Sequence, residues 1–206
     1  MALADHAAPP SGAEPPVDET FLVGRARHGD LSAFEEIVRR YRRRVYGVAL
    51  RIVRHHETAE DVAQEAFVRA WRGLDGFELG RPFAPWVCRI AANLALNHVR
   101  SPRMREQALP EGHDEEPAQE AGPLGTLLDA EARRVLDDAV GALPTEQRAV
   151  LVLRVFEELS YDEIAETLQI SPGTVMSRLY RARERLARAL VPYLGAAAAR
   201  RKGGVA

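Results

Sequence analysis

The chain has 206 residues, enough for one or two domains, and its 28 basic and 30 acidic residues leave a net charge of −2 at pH 7. Its single cysteine, Cys88, excludes an internal disulfide and a cysteine-based zinc site, and its position in an apolar helical stretch predicts a buried, inert thiol. No apolar run approaches the ~20 residues of a membrane span and no signal peptide is recognisable, so we expect a cytoplasmic protein without membrane insertion.

The N-terminal half is predicted to be helical throughout. Residues 1–17, with four prolines among alanines, predict a disordered arm. From 18 to 101 the apolar residues recur with helical spacing and never alternate as in a strand. After a short first helix, Asp30 is expected to cap a long second one with an apolar stripe and many arginines. A third helix is predicted to open at Thr58 and a fourth to follow Pro82.

The second half begins after a break in this pattern. Residues 102–126 contain prolines, glycines and acids with little to bury, which predicts a flexible acidic linker. Helical spacing returns over 127–194 and predicts a second domain. The remaining residues, 195–206, are expected to form a disordered tail.

The segment from Leu159 to Leu190 has the pattern of a helix-turn-helix. Ser160 and Glu163 form a capping box that starts one helix, and Ser171 followed by Pro172 starts the next after a short turn. The outward face of the second helix combines base-edge hydrogen bonders with phosphate-seeking charge: Thr174, Ser177, Arg178, Arg181, Arg185 and Arg188. This pattern predicts that the second helix enters the major groove of DNA.

Four short sequence phrases occur one after another along the chain. They are DVAQEAFVRAW from Asp61, WVCRIAAN from Trp86, LSYDEIA from Leu159 and GTVMSRLYRAR from Gly173. In these phrases the sequence resembles the bacterial extracytoplasmic-function (ECF) sigma factors, group 4 of the sigma-70 family. The resemblance implies an all-α protein in which two small helical domains flank the linker. They are a sigma-2-like bundle over 18–101 and a sigma-4-like helix-turn-helix bundle over 127–194.

The implied function is that of an RNA polymerase subunit, not itself an enzyme. Such a subunit binds core polymerase, recognises the minus-thirty-five and minus-ten promoter elements, and initiates transcription of a stress or envelope-response regulon. Its implied protein partners are the clamp helices of the largest polymerase subunit, the beta flap and an anti-sigma factor. Its implied nucleic-acid partner is promoter DNA, both duplex and single-stranded.

The resemblance also assigns roles to individual residues. The clamp helices would bind Asp61, Gln64, Glu65 and Phe67. The single-stranded minus-ten element would contact Phe77, Arg89, Asn93, Asn97 and Arg100, with Phe77 lining a pocket for a flipped base and the amides reading an unstacked base. The minus-thirty-five duplex would contact Thr174, Met176, Ser177, Arg178, Tyr180 and Arg181. Trp86 is expected to pack in the core in preference to touching DNA.

An alternative interpretation is an autonomous helix-turn-helix regulator that binds an operator as a dimer. Its first half would then be a sensor or a dimerisation domain. A sensor needs an apolar pocket or ligand site, whereas the first half carries arginines, acids and amides on its surface. The six histidines are not spaced with acids as metal ligands, and no glycine-rich phosphate loop follows a strand. We therefore predict no catalytic residue, metal or cofactor.

Overall fold

The computed structural model describes residues 18–101, 132 and 134–203, with side chains described up to Tyr193. Within these ranges the chain is helical and contains no strand, which confirms the all-α prediction. The helices are α1 Glu19–Arg27, α2 Leu31–Val53, α3 His56–Gly73, α4 Phe83–Arg100, α5 Thr145–Val155, α6 Tyr161–Leu168 and α7 Pro172–Gly203, with a 3-10 turn at Leu74–Gly76. Residues 134–141 are also helical. The predicted arm and linker lie outside the described residues.

The N-terminal unit, residues 18–101, is built around α2. Its apolar stripe is buried against α1, α3 and α4 and includes Ile37, Val45, Val48 and Ile52. Helix α1 is tied to the start of α4 because the Glu19 carboxylate accepts a hydrogen bond from the Phe83 amide at 2.8 Å and another from the Tyr41 hydroxyl. These contacts close a four-helix bundle whose long central helix carries arginines on its exposed side.

The helix starts of this unit agree with the sequence in one case and differ in another. Asp30 caps α2 as predicted, accepting from the Ala33 amide at 3.1 Å. Helix α3, however, begins at His56, two residues before the predicted start at Thr58. The reason is that His55 Nδ1 accepts the Thr58 amide at 3.3 Å, so a ring nitrogen takes the place of the usual cap oxygen.

The C-terminal unit comprises residues 134–193. It contains the predicted helix-turn-helix in α6 and α7. The capping box is present: the Ser160 hydroxyl accepts from the Glu163 amide at 3.2 Å and the Glu163 carboxylate accepts from the Ser160 amide at 2.8 Å. The hydrogen bond that the Ser160 amide donates to the Glu163 carboxylate is the main cause that lowers the pKa of Glu163. Gln169 adopts φ 51° at the turn, and the Ser171 hydroxyl accepts the Thr174 amide at 3.2 Å where α7 begins.

Residues 195–203, which were expected to belong to a disordered tail, are helical in the structure. Helix α7 continues without a break to Gly203, with Pro192 inside it. The four alanines from Ala196 to Ala199 are the strongest helix formers, and no further breaker follows them until the glycine pair at 203–204. A segment with few large apolar side chains can thus still extend a helix that has already formed.

The two units pack against each other in the described structure. Helix α5 lies against α2 and α4, α6 lies against α4, and the buried residues of both units form one contiguous core. This packing determines the surroundings of several predicted site residues.

Candidate nucleic-acid interface

The first half of α7 presents a mixed polar and apolar surface. Val175, Leu179 and Ala182 are buried and anchor the helix on the unit's core. Four predicted contact residues face solvent: Met176 and Tyr180, at 56% and 70% exposure, and Ser177 and Arg181. The side-chain hydroxyl of Ser177 donates to the Thr174 carbonyl at 3.0 Å, and the Thr174 hydroxyl lies 2.9 Å from that of Ser171. The exposed face therefore offers donors, acceptors and apolar surface together.

Arg178 belongs to the same predicted set but has different surroundings. Its side chain is only 22% exposed, and its Nη1 lies 2.6 Å from Oε2 of Glu146 on α5. The predicted outward arginine is thus engaged in an ion pair within the protein.

The predicted minus-ten residues of α4 lie along one stretch of that helix. Asn93 is half-buried and Asn97 is exposed, four residues apart and so on one face. Arg89 Nη2 donates to Glu163 at 2.5 Å, and Arg100 donates through two nitrogens to Glu146, at 2.8 Å each. Both arginines therefore face the C-terminal unit.

Phe77, which was predicted to line a pocket for a flipped base, is buried in this structure. Its side chain is 5% exposed, and its ring centroid lies 4.9 Å from Trp86 and 5.7 Å from Phe83. The 3-10 turn at Leu74–Gly76 folds the loop back, so that the aromatic side chain completes the core. Trp86 packs in this same cluster, as predicted.

The predicted polymerase-binding residues lie on α3. Asp61 and Gln64 are exposed, and Glu65 accepts from Arg69 at 2.7 Å. Phe67 points inward, with 7% exposure and an edge-on contact to Phe34. Acids and an amide thus project beside an anchored aromatic residue.

Comparison with known proteins matches both units to one family. The model for sigma-70 region 2 matches residues 37–105, and the model for sigma-70 region 4 matches residues 133–186. The RNA polymerase sigma-H factor of Pseudomonas aeruginosa is 36% identical over 181 residues, covering 84% of this chain and 94% of that protein. This chain belongs to the ECF sigma factors. It is also 38% identical to the ECF sigma factor SigE of Mycolicibacterium smegmatis, over 89% of this chain and 77% of that protein.

Two solved structures resemble this ECF sigma factor in fold. One is the sigma factor RpoE of Bartonella quintana in complex with the anti-sigma factor NepR, with a TM-score of 0.61 and 25% identity, over 78% of this chain and 98% of that one. The other is CnrH in complex with the cytosolic domain of CnrY, with a TM-score of 0.57 and 27% identity, over 84% of this chain and 97% of that one.

Sequence reasoning missed the groups of the ECF sigma factor that join its two units. Three glutamates of the C-terminal unit, Glu146, Glu157 and Glu163, bind arginines 46 to 113 residues away. The guanidinium of Arg148 donates to the Ile52 carbonyl at the end of α2, at 2.7 Å. No local pattern marks such pairs, because their partners are brought close only by the packing of the units.

In the described part of this sigma factor, no cluster of three or more histidine, cysteine, aspartate or glutamate residues is placed to hold a metal ion. None of the helices in residues 18–101 and 134–203 is both long and apolar enough for a membrane span. Cys88 is fully buried as predicted, and burial raises the pKa of its thiol.

Proposed function

We propose that the two units of this ECF sigma factor divide promoter recognition between them, with α7 reading the minus-thirty-five duplex and α4 holding the unpaired minus-ten strand. The observation that carries this proposal is the exposed face of α7, where polar, basic and apolar side chains project from a completed helix-turn-helix. A helix that projects such side chains from its N-terminal half fits the major groove.

The proposed readout on α7 combines hydrogen bonds with apolar contact. Ser177 and Arg181 suit base edges and phosphates, whereas Met176 and Tyr180 offer surface to thymine methyl groups. Arg178 joins this set when it leaves Glu146, and a bidentate contact to guanine then discriminates by about 1–3 kcal/mol.

The proposed role of α4 is to capture strand separation. The amides of Asn93 and Asn97 lie on one face and match the hydrogen-bonding edges of unstacked bases. Each base held outside the duplex shifts the promoter toward the open state by about 1–3 kcal/mol of stacking energy. Because Phe77 is buried in the core, this proposal does not include it.

Core polymerase is proposed to hold the units at promoter spacing. Asp61, Gln64 and Glu65, projecting beside Phe67, form a surface of acids and amide that complements a basic clamp helix on the largest polymerase subunit. The C-terminal unit would dock on the beta flap. Two DNA-binding units gain affinity from each other only when their separation is set, and the polymerase provides that separation.

A regulatory partner is part of the proposal. The two similar solved structures are complexes, one with the anti-sigma factor NepR and one with the cytosolic domain of CnrY. We propose that this chain is held inactive by an anti-sigma factor, and that it acts in the cytoplasm, where chromosomal DNA and polymerase are. It contributes binding energy to initiation, and the bond-forming chemistry belongs to the polymerase.

The division of roles is tested by two variants on a promoter selected by run-off transcription with core polymerase. Arg178→Ala is expected to weaken binding of the upstream duplex about tenfold or more. Asn93→Ala is expected to leave duplex binding nearly intact and to reduce strand opening, measured by permanganate footprinting. Arg183→Ala, which removes an exposed arginine about 140° around the same helix, is the control and should change both steps little. Equal loss of both steps in the two variants would contradict the division.

A further inference from the structure

The contact between the two units includes charge pairs of a single polarity. Glu146, Glu157 and Glu163 of the C-terminal unit face Arg100, Arg44 and Arg89 of the N-terminal unit, in that order. In each pair the acid comes from the C-terminal unit and the base from the N-terminal one. We name these three glutamates the acidic triad.

Glu146 has a special position in this contact. Its carboxylate accepts two hydrogen bonds from Arg100 of α4, from Nε and Nη2 at 2.8 Å each. The same carboxylate lies 2.6 Å from Nη1 of Arg178 on α7. One carboxylate thus holds Arg100, which the sequence predicts to contact the minus-ten strand, together with Arg178, which is proposed for the minus-thirty-five duplex.

Two further contacts show that side chains are buried in the interface between the two units. The Glu157 side chain is 1% exposed and lies 3.0 Å from Arg44 Nε. The guanidinium of Arg51 on α2 lies over the Phe156 ring, 4.1 Å from its centroid. A carboxylate buried to this degree needs its partner, since an unpaired buried charge is costly.

From these contacts we infer that the acidic triad is an intramolecular docking surface that occupies the places of nucleic-acid phosphates on the N-terminal unit. Carboxylates and phosphates accept the same forked hydrogen bonds from arginine, so the triad and a DNA strand compete for Arg89 and Arg100. The free chain is therefore closed, and single-stranded nucleic acid binds only after the units separate. This inference rests on the proposed role of α4.

The consequence follows from linked equilibria. A ligand that binds only the open form must displace the triad, so its apparent affinity equals its affinity for the open form multiplied by the fraction of chain that is open. Weakening the triad raises that fraction and tightens binding without any new contact to the ligand.

The test uses the full chain without polymerase. Dyes on Glu35→Cys and Ala187→Cys, both exposed positions on different units, report separation by energy transfer, while buried Cys88 stays unlabelled. The probe is a fluorescent thymidine 20-mer. The double variant Glu146→Gln, Glu157→Gln is expected to lower transfer efficiency and to bind the probe about tenfold more tightly. The control Asp162→Asn, Glu166→Gln, which removes equal charge from exposed positions of the same unit, should behave as wild type.

Titration of the 20-mer into the wild-type chain gives a second readout that needs no variant in the triad. Bound strand is expected to lower transfer efficiency, because strand and triad exclude each other. Unchanged efficiency with strand bound would overturn the inference, as would equal efficiencies in wild type and double variant or an equal effect of the control. Promoter-specific transcription with core polymerase is measured separately. If the free wild-type chain is open and still initiates transcription with core polymerase, the inferred closure is overturned and the proposed function stands.

Discussion

Arg148 provides the sharpest test of how the units are held together. Its side chain is buried, with the residue 6% exposed, and its guanidinium donates to the carbonyls of Gly141 at 2.8 Å, Leu143 at 3.2 Å and Ile52 at 2.7 Å. The Ile52 carbonyl belongs to the last turn of α2, where no helical amide follows to bind it. Burial lowers the pKa of Arg148 to about 10, so the side chain remains a cation at neutral pH.

Replacing Arg148 with Met keeps an unbranched stem and removes every donor. Each buried carbonyl left without a partner costs about 1–3 kcal/mol, and loss of the buried charge offsets part of that sum. We expect the free energy of unfolding to fall by about 2–4 kcal/mol in urea titrations followed by circular dichroism. Arg183→Met, the same change at an exposed position, should stay within about 0.5 kcal/mol of wild type. A similarly small effect of Arg148→Met would refute this account of the contact.

Three further predictions concern the local devices of the fold. Phe83→Ala empties a fully buried site in the aromatic cluster and should cost about 3–5 kcal/mol in the same titrations, whereas loss of less than 1 kcal/mol would contradict that packing. Ser160→Ala removes the hydroxyl of the capping box and should cost about 1 kcal/mol, with Ser160→Gly costing less. Hydrogen bonds from Ser32, Ala33 and Arg25, in that order, lower the pKa of Asp30 to about 2. The charged carboxylate therefore stabilises the fold fully at pH values above about 3.9, which is the pKa of aspartate in the unfolded chain. This contribution is lost as the pH falls toward 2. The stability difference between wild type and Asp30→Asn should therefore shrink from pH 6 to pH 3, and a difference that grows would contradict the assignment.

Features set by near neighbours were predictable from the sequence. The caps at Asp30 and Ser160 satisfy an amide three residues ahead, so residue type and spacing were sufficient to place them. The apolar stripes of α2 and α7 followed from helical periodicity for the same reason. The positions of Asn97, Ser177 and Arg181 on exposed helix faces followed from the same spacing.

Features set by distant neighbours were not predictable. Phe77 was expected to line a pocket for a flipped base, and in the structure it packs in a cluster whose other members lie on another element. Arg178 was expected on an outward face and Arg100 was expected to contact DNA, and both meet Glu146 in the folded chain. A side chain's polarity shows that it needs a partner without showing which partner it finds. The start of α3 at His56 differed for a simpler reason, since histidine is not among the usual capping residues.

The most direct test of the central claim is a gel shift of one promoter fragment with and without core polymerase. The claim is that the two units find a promoter only when polymerase holds them apart. We expect tight, specific binding in the presence of core enzyme and little specific binding by the chain alone. Tight occupation of the fragment by the chain alone as a symmetric dimer, with no association with core enzyme, would contradict the claim and favour an autonomous regulator.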